Sequence, residues 1–537
     1  MSDTLSTFRL GRTPQNQPAD PNQVANNAGG YTFTVTPEQR LRRFLTLGTD
    51  GGTYYARADD LTRDNANAVV KMAETDHKLL VDTIVDVSNR GAAPRQNPAL
   101  FALALAATIG TTQEKQYALS HLDQVARTGT HLFTFVGYLD GLRSWGRSVR
   151  RAVSSWYTSK DADALAYQVV KYRQRAGWSH RDVLRSAHPA ANNPDVKAVF
   201  DWIVNGTHTE RLPRLIEGYR KANEPAADVP ALVRDYHLSW EMLPDAALTK
   251  AATWDALLDG GIPQTALMRQ LPRLTRLGLI PPMGGRTSEV AARLTDGERL
   301  RKARVHPINV LVAQRTYAAG QSARGDGTWT PTGSIVDALD AAFYAAFGAV
   351  EPSGKRTMLA LDVSGSMAYG SIAGMPLTPR EASAALALVQ LATEPACAAY
   401  GFTSGAAPVR GGWAHGEAFT PLSISPRQRL DDAIRTVSRL DFGGTDCALP
   451  MIHAQKNRLE VDTFVVYTDN ETWAGSMHPH EALRSYRQWS GIDARLVVVG
   501  MTAVDFTIAD PNDGGMLDVA GFDSAVPDLI SSFSRGL

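Results

Sequence analysis

From residue 37 to about residue 348, apolar residues recur three and four positions apart in one segment after another; at residue 357 that spacing gives way to short apolar runs of strand length. One chain thus carries two periodicities, and its 537 residues suffice for two or three folding units with sizeable cores. In the first stretch, residues 99–108, 119–128, 130–142, 149–157, 162–175 and 181–188 show the 3.6-residue spacing, and 194–204, 210–222, 230–243, 253–258, 263–274, 305–317 and 334–347 continue it. Many helices of about 10 to 15 residues joined by short turns predict stacked helical pairs, each burying its apolar face on the next. No strict sequence period accompanies them, so the repeat is degenerate, and a plain irregular helical domain is the alternative.

After residue 357 the apolar runs 358–363, 396–402, 463–467 and 495–499 alternate with helical stretches at 379–391, 427–437, 446–456 and 479–489. Such alternation predicts a doubly wound parallel sheet. Ligands of these sheets bind outside the carboxyl ends of the strands, which directs attention to the residues just after each run.

Formal charge balances at 55 basic against 55 acidic residues, yet unevenly along the chain. From Met358 onward there are 12 Lys and Arg against 20 Asp and Glu, which leaves 43 against 35 before it. Opposite signs on the two parts are what a nucleic-acid-facing module joined to a metal-facing or partner-facing one would show. The two cysteines, Cys397 and Cys447, rule out a disulfide framework and a Cys-rich zinc site, and point to a reducing, cytoplasmic location. Residues 1–30 are rich in Pro, Asn, Gln and Ala, lack the apolar core of a secretory signal, and read as a disordered arm. No run approaches the ~20 apolar residues of a membrane span.

Three short pieces stand at the predicted strand ends or in loops. Asp362-Val-Ser364-Gly-Ser366 can project a carboxylate and two hydroxyls toward one point; Gly443-Gly444-Thr445-Asp446 is a glycine turn opening a helix; Thr468-Asp469-Asn470-Glu471 follows the strand at 463–467. All are hard oxygen donors, suited to Mg²⁺ or Mn²⁺ and poorly suited to zinc. Each piece alone is ordinary, since Gly-Thr-Asp is a common helix cap. In this order they resemble the metal-ion-dependent adhesion site of von Willebrand factor A domains, and the resemblance implies Asp362, Ser364, Ser366, Thr445 and Asp469 as ligands. An aspartyl-phosphate phosphatase would also place an Asp after its first strand, but it commonly needs a second acid two residues on, and Ser364 stands there. No Ser/His/Asp or Cys/His set stands out either, so the site reads as binding and the chain as no enzyme.

Between Arg143 and Arg185 lie ten basic residues against three acidic ones, interleaved with Trp145, Trp156, Tyr157, Tyr172 and Trp178. Lys and Arg can hold phosphates while aromatic faces stack unpaired bases. With 162–175 read as one helix, Lys171 and Arg175 share a face. A second basic stretch, 269–304, holds nine basic against three acidic residues around a Pro281-Pro-Met-Gly-Gly285 loop. The bland reading of both is a solvated charged face with tryptophans in the core.

Over nearly its whole length the chain is similar to the Ro ribonucleoprotein autoantigen family and its bacterial relatives. The likeness rests on Arg43-Phe-Leu-Thr-Leu-Gly-Thr-Asp-Gly-Gly-Thr-Tyr-Tyr55, Thr130-His-Leu-Phe-Thr-Phe135, Lys171-Tyr-Arg-Gln-Arg175 with Gly177-Trp-Ser-His180, and Lys302-Ala-Arg-Val-His-Pro307. Further on it rests on Gly443-Gly-Thr-Asp-Cys-Ala-Leu-Pro-Met451, Tyr467-Thr-Asp-Asn-Glu-Thr472 and Phe506-Thr-Ile-Ala-Asp-Pro511. The arm at 1–30 shows no close match to the family and is assigned no role; the resemblance implies a ring of HEAT-like repeats (a TROVE module) at 31–356, and a von Willebrand factor A-like domain at 357–537 that completes the ring. It further implies a monomer that holds small noncoding Y RNA on an outer basic surface through Lys171, Arg175 and His188, and takes single-stranded 3′ ends of misfolded RNA in the ring. An exoribonuclease such as polynucleotide phosphorylase is the implied partner. The first adhesion-site loop reads Ser-Gly-Ser where animal members have Ser-Ala-Ser, a change that keeps the ligands. The competing expectation is a metal-dependent protein adaptor with secondary RNA binding; a metal hydrolase comes third.

Overall fold

The computed structural model describes residues 12–47, 66–142, 145–322, 326–348, 350–369, 372, 377–409, 412–415, 418–425, 428–440 and 443–536. Residues 48–55 of the first family motif, Arg143 of the basic run and the first eleven residues of the expected arm lie outside this set. The chain divides into two compact units, one of residues 69–346 and one that joins 1–68 to 347–537.

The first unit is helical, running through α2 (Asn67–Thr75) and on to α19 (Gly333–Ala345). Sequence-local signals set many of its boundaries. Asp76 caps α3 (His77–Arg90), which ends on Gly91 in the left-handed region; Thr111 and Glu114 form a reciprocal capping box on α5 (Thr112–Ser120), and Asp161 caps α9 (Ala162–Lys171). The unit closes on itself: Arg304 Nε donates to the Asn89 carbonyl at 2.7 Å, Asn309 Nδ2 donates to that of Pro94 at 3.2 Å, and the His306 ring meets that of Ala92 at 3.1 Å. These three contacts join residues 89–94 to residues 304–309 within the helical unit.

The second unit centres on a six-stranded sheet in the order β13 (Met516–Ala520), β11 (Arg495–Gly500), β10 (Thr463–Thr468), β5 (Thr357–Asp362), β6 (Cys397–Phe402), β9 (Phe419–Pro421). Five strands are parallel, four of them (β5, β6, β10 and β11) at the predicted apolar runs and β13 at none; β9 pairs antiparallel with β6, so the sheet is mixed. On one face Met358, Phe464, Val466 and Leu496 pack with Met451 of α22 (Leu449–Lys456) and Leu483 and Tyr486 of α23 (Pro479–Ser490). α20 (Pro379–Thr393) packs against β5 and β6 and against α24 (Val526–Arg535), away from that cluster. The chain leaves β5 toward β6 on one side and returns to β10 on the other. This makes the carboxyl ends of β5 and β10 the topological switch point where ligands collect.

The expected disordered arm is corrected from residue 12 onward. β1 (Gln23–Ala25) pairs antiparallel with β2 (Tyr31–Thr34), and β2 pairs with β12 (Phe506–Thr507) near the other end of the chain. Gln15 and Phe33 are fully buried. The composition misleads because Gln15, Gln23 and Asn26 are buried, hydrogen-bonded to Asp446, His478 and the Thr472 carbonyl of the A domain. Residues 31–47, expected in the helical module, also belong here. Within α1 (Pro37–Leu47), Arg43 is buried, 2.6 Å from Asp518 of β13; it also donates to the carbonyls of Phe506 at 3.0 Å and Val504, passing over the Cα of Gly500, where a Cβ would stand 3.1 Å from its guanidinium. Among the described residues no helix is long and apolar enough to cross a membrane.

Removing one partner of a buried ion pair strands the other charge, at a cost of about 3 to 5 kcal/mol. Asp518→Asn is therefore expected to lower the urea-unfolding free energy of the A-domain unit by that amount. A loss below about 1 kcal/mol would show that the pair is not buried in solution.

Candidate functional site

The metal loops are built where β5 and β10 end. Asp362 is fully buried; its Oδ1 accepts from the Ser364 N–H at 2.9 Å, its Oδ2 accepts from the Thr468 hydroxyl at 2.7 Å, and the Ser364 and Ser366 hydroxyls lie 3.1 Å apart. Asp469, also fully buried, accepts from the Glu471 N–H at 3.0 Å, and the next residue, Asn470, takes a left-handed φ of 66°, a conformation Asn tolerates better than most. The Thr445 carbonyl accepts from the Trp473 and Ala474 N–H groups at 3.1 and 3.0 Å, which binds the second loop to the third. Gly444 is needed there, since a Cβ would come within 2.7 Å of the Trp473 ring.

The structure thus links Asp362 to Ser364 and Ser364 to Ser366, leaves Asp469 near enough to act on the charge of Asp362, and fastens the Thr445 loop to the Asp469 loop. Burial, and then the neighbouring Asp469, push the Asp362 acid up to about 7. Two desolvated carboxylate anions near each other are unfavourable unless one takes up a proton or a cation binds beside them. Among the described residues no group of three or more His, Cys, Asp and Glu side chains forms a ligand set, so a cation here would rely on the hydroxyl oxygens as well. The donor chemistry fits Mg²⁺ or Mn²⁺. Thr468, which orients Asp362, lies within the motif but was not among the expected ligands.

The basic run differs from expectation. α9 ends at Lys171, and Arg175 lies not on the helix but in a hairpin of β3 (Gln174–Arg175) and β4 (Trp178–Ser179). Its two-residue loop, Ala176 and Gly177, has φ of 51° and 79°, the all-positive turn that matches strand twist. Lys171 and Arg175 therefore share no helix face. The Lys171 ammonium is turned inward, its side chain 6% exposed, donating to the Tyr167 hydroxyl at 2.9 Å and 3.7 Å from Glu241. Trp156 and Tyr157 are core, with Trp156 Nε1 donating to the Ala126 carbonyl and the Tyr157 hydroxyl on the His180 ring. Trp145 and Trp178 are half-buried and lie 5.9 Å apart.

Arg175 itself is exposed, as are Arg147, Arg150, Arg151, Arg181 and Arg185, and none of the six has an ion-pair partner among the described residues. His188 is exposed in the left-handed position that ends α10 (His180–Ala187). In the second basic stretch the charge is largely engaged: Arg286 meets Asp255, Asp259 and Glu289 within 2.8 Å, Arg299 pairs with Asp296, and Arg293 donates to the Leu258 and Ile262 carbonyls. Arg269, Arg276, Arg301 and Lys302 remain exposed.

A helical module joined to an α/β domain with adhesion-type loops at its switch point defines a TROVE and von Willebrand factor A protein. The family model described as the Ro60 vWA domain matches residues 356–534, and the one described as the TROVE domain matches 24–221 and 235–316. "RNA-binding protein RO60" of Deinococcus radiodurans is 44% identical over 545 residues, covering 100% of both chains, and the protein of that name from Caenorhabditis elegans is 37% identical over 618 residues, covering 99% of this chain and 93% of the relative. The crystal structure of the Deinococcus radiodurans RO (RSR) protein aligns with a TM-score of 0.70 at 43% identity, over 93% of this chain and 100% of that one. The chain belongs to the Ro60 family.

Burial holds the His180 imidazole down to about 4. The unfolded chain takes up that proton first, near 6.5, so the stability tied to neutral His180 is complete above about 6.5 and is lost as pH falls toward 4. Urea midpoints of the helical unit measured from pH 7 to 4 should fall less steeply for His180→Gln than for the parent chain. Parallel slopes would contradict a buried neutral His180.

Proposed function

We propose that this chain is an RNA-binding scaffold: its exposed arginine surface grips the phosphate backbone of a small folded RNA of the Y type, and the helical unit takes unpaired 3′ ends of misfolded RNA for delivery to an exoribonuclease. One observation carries the reading, the six exposed arginines without ion-pair partners on α8 (Arg147–Thr158), the β3–β4 hairpin and α10. Arginines that find no carboxylate within their own fold remain available to phosphate oxygens. Both relatives named above are themselves called RNA-binding proteins. His188 and Arg175 belong to this surface; Lys171 supports it from beneath by holding the end of α9 to Glu241. Two free cysteines suit a reducing, cytoplasmic setting.

In this reading Asp362, Ser364, Ser366, Thr445 and Asp469 hold one Mg²⁺ or Mn²⁺. The cation neutralises the buried acid pair and offers a docking point to a partner, so that the site serves binding rather than RNA cleavage. Asp362→Ala should abolish Mn²⁺ binding in calorimetry, and unchanged affinity would refute the ligand assignment.

Charge reversal at Arg175, Arg181 and Arg185 should weaken binding of a stem-loop RNA and make log affinity against log salt shallower by about 0.7 to 0.9 per lost phosphate contact. Binding of a tailed duplex should fall less. Lys171→Ala should lower thermal stability without changing the salt slope by a full contact. Equal losses for both RNAs would mean one general basic surface, and no loss for either would remove RNA from this face.

A further inference from the structure

The loops that carry Thr445 and Asp469 are joined by a residue from the opposite end of the chain. Gln15, fully buried, donates through Nε2 to Asp446 Oδ1 at 2.7 Å and to the Met477 carbonyl at 2.8 Å, while its Oε1 accepts from the Thr472 hydroxyl at 2.5 Å and the Gly475 N–H at 3.2 Å. Its backbone is tied as well, the N–H donating to the Gly475 carbonyl and the carbonyl accepting from the Tyr31 N–H. One carboxamide therefore spans the residue after Thr445 and three residues beyond Asp469. Thr472 completes the link by accepting from the Cys447 N–H at 3.1 Å.

The rest of the segment presses on the same loop. Asn26 Nδ2 donates to the Thr472 carbonyl at 2.7 Å, and Asn27 Nδ2 and the Ala28 N–H hold Glu471 at 2.8 and 2.9 Å; Glu471 in turn donates its N–H to Asp469. Gly30 lies so close that a Cβ would fall 1.9 Å from the Thr472 carbonyl oxygen. Only a group that both donates and accepts satisfies the Gln15 position: a carboxylate would meet Asp446 with like charge, and an apolar side chain would leave Asp446 and Thr472 without their partner.

We propose that Gln15 is a positioning residue for the divalent-cation site, fixing the Thr445 and Asp469 loops against each other, so that docking of the N-terminal segment and cation binding are coupled. The inference rests on the metal reading above. Coupling is reciprocal: a segment that preorganises the loops for the cation is itself held more firmly when the cation binds. Groups that orient metal ligands from behind commonly contribute about 10- to 100-fold in affinity.

The test is Mn²⁺ titration by calorimetry into the full chain, its Gln15→Ala and Gln15→Glu variants and Asp362→Ala, with hydrogen–deuterium exchange followed over residues 13–31. Gln15→Ala is expected to weaken Mn²⁺ about tenfold, and Gln15→Glu at least as much. Mn²⁺ should slow exchange over 13–31 in the parent chain and leave it unchanged in Asp362→Ala. The exchange arm needs no Gln15 variant, so it decides the matter even where such a variant melts early. Parent-like affinity in both Gln15 variants, or exchange over 13–31 that ignores Mn²⁺, overturns the coupling while the metal site stands. Failure of the parent chain to bind Mn²⁺ overturns both.

Discussion

The A-domain unit depends on one buried charge. Arg43 arrives on α1, hundreds of residues before the sheet it serves, and finds Asp518 on the sheet's outermost parallel strand. A guanidinium in an apolar interior is tolerable only with a carboxylate and carbonyls around it, and β13 together with the β11–β12 loop supplies them. The pair therefore fixes the register of both ends of the chain at once: α1 cannot shift along the sheet without stranding a charge. With α1 fixed, β2 meets β12, and the polar residues ahead of β2 fall onto the metal loops.

What could be read from the residues alone follows from which forces are local. The parallel strands β5, β6, β10 and β11 are apolar on both faces and stand out as runs, and the ligand loops sit where such strands end. Caps such as Asp161 are likewise local. By contrast, β13 reads Met-Leu-Asp-Val-Ala, and its central Asp518 breaks the apolar run because its partner lies 475 residues away. β9 is three residues long and offers no pattern.

The same distinction explains the two errors of interpretation. Gln15, Asn26 and Asn27 have the composition of a solvated tail, and only the fold brings them to the unpaired donors and acceptors of distant loops. Lys171 counts as a positive charge in any tally, but Glu241, seventy positions on, engages it, while Arg175 is carried off the helix by an Ala-Gly turn whose first position carries no sequence signal for positive φ. Exposed arginines divide in the same way: Arg211, Arg220 and Arg299 are paired with carboxylates of the fold, while Arg175, Arg181 and Arg185 have no ion-pair partner among the described residues. Surface charge useful for a polyanion is thus a residue left after internal pairing, a quantity that composition overstates.

The joining of residues 12–47 to the A domain also has a consequence in time. A chain emerging from the ribosome at about 5 to 20 residues per second leaves the N-terminal segment without its partner for roughly half a minute or more after Arg43 is made. During that interval residues 69–346, which form a compact unit, are made and free to fold. The A-domain strands then emerge to meet a segment made long before them. Residues 12–47 therefore pass through synthesis without the strands that bury them, and their polar groups face water until the sheet is made.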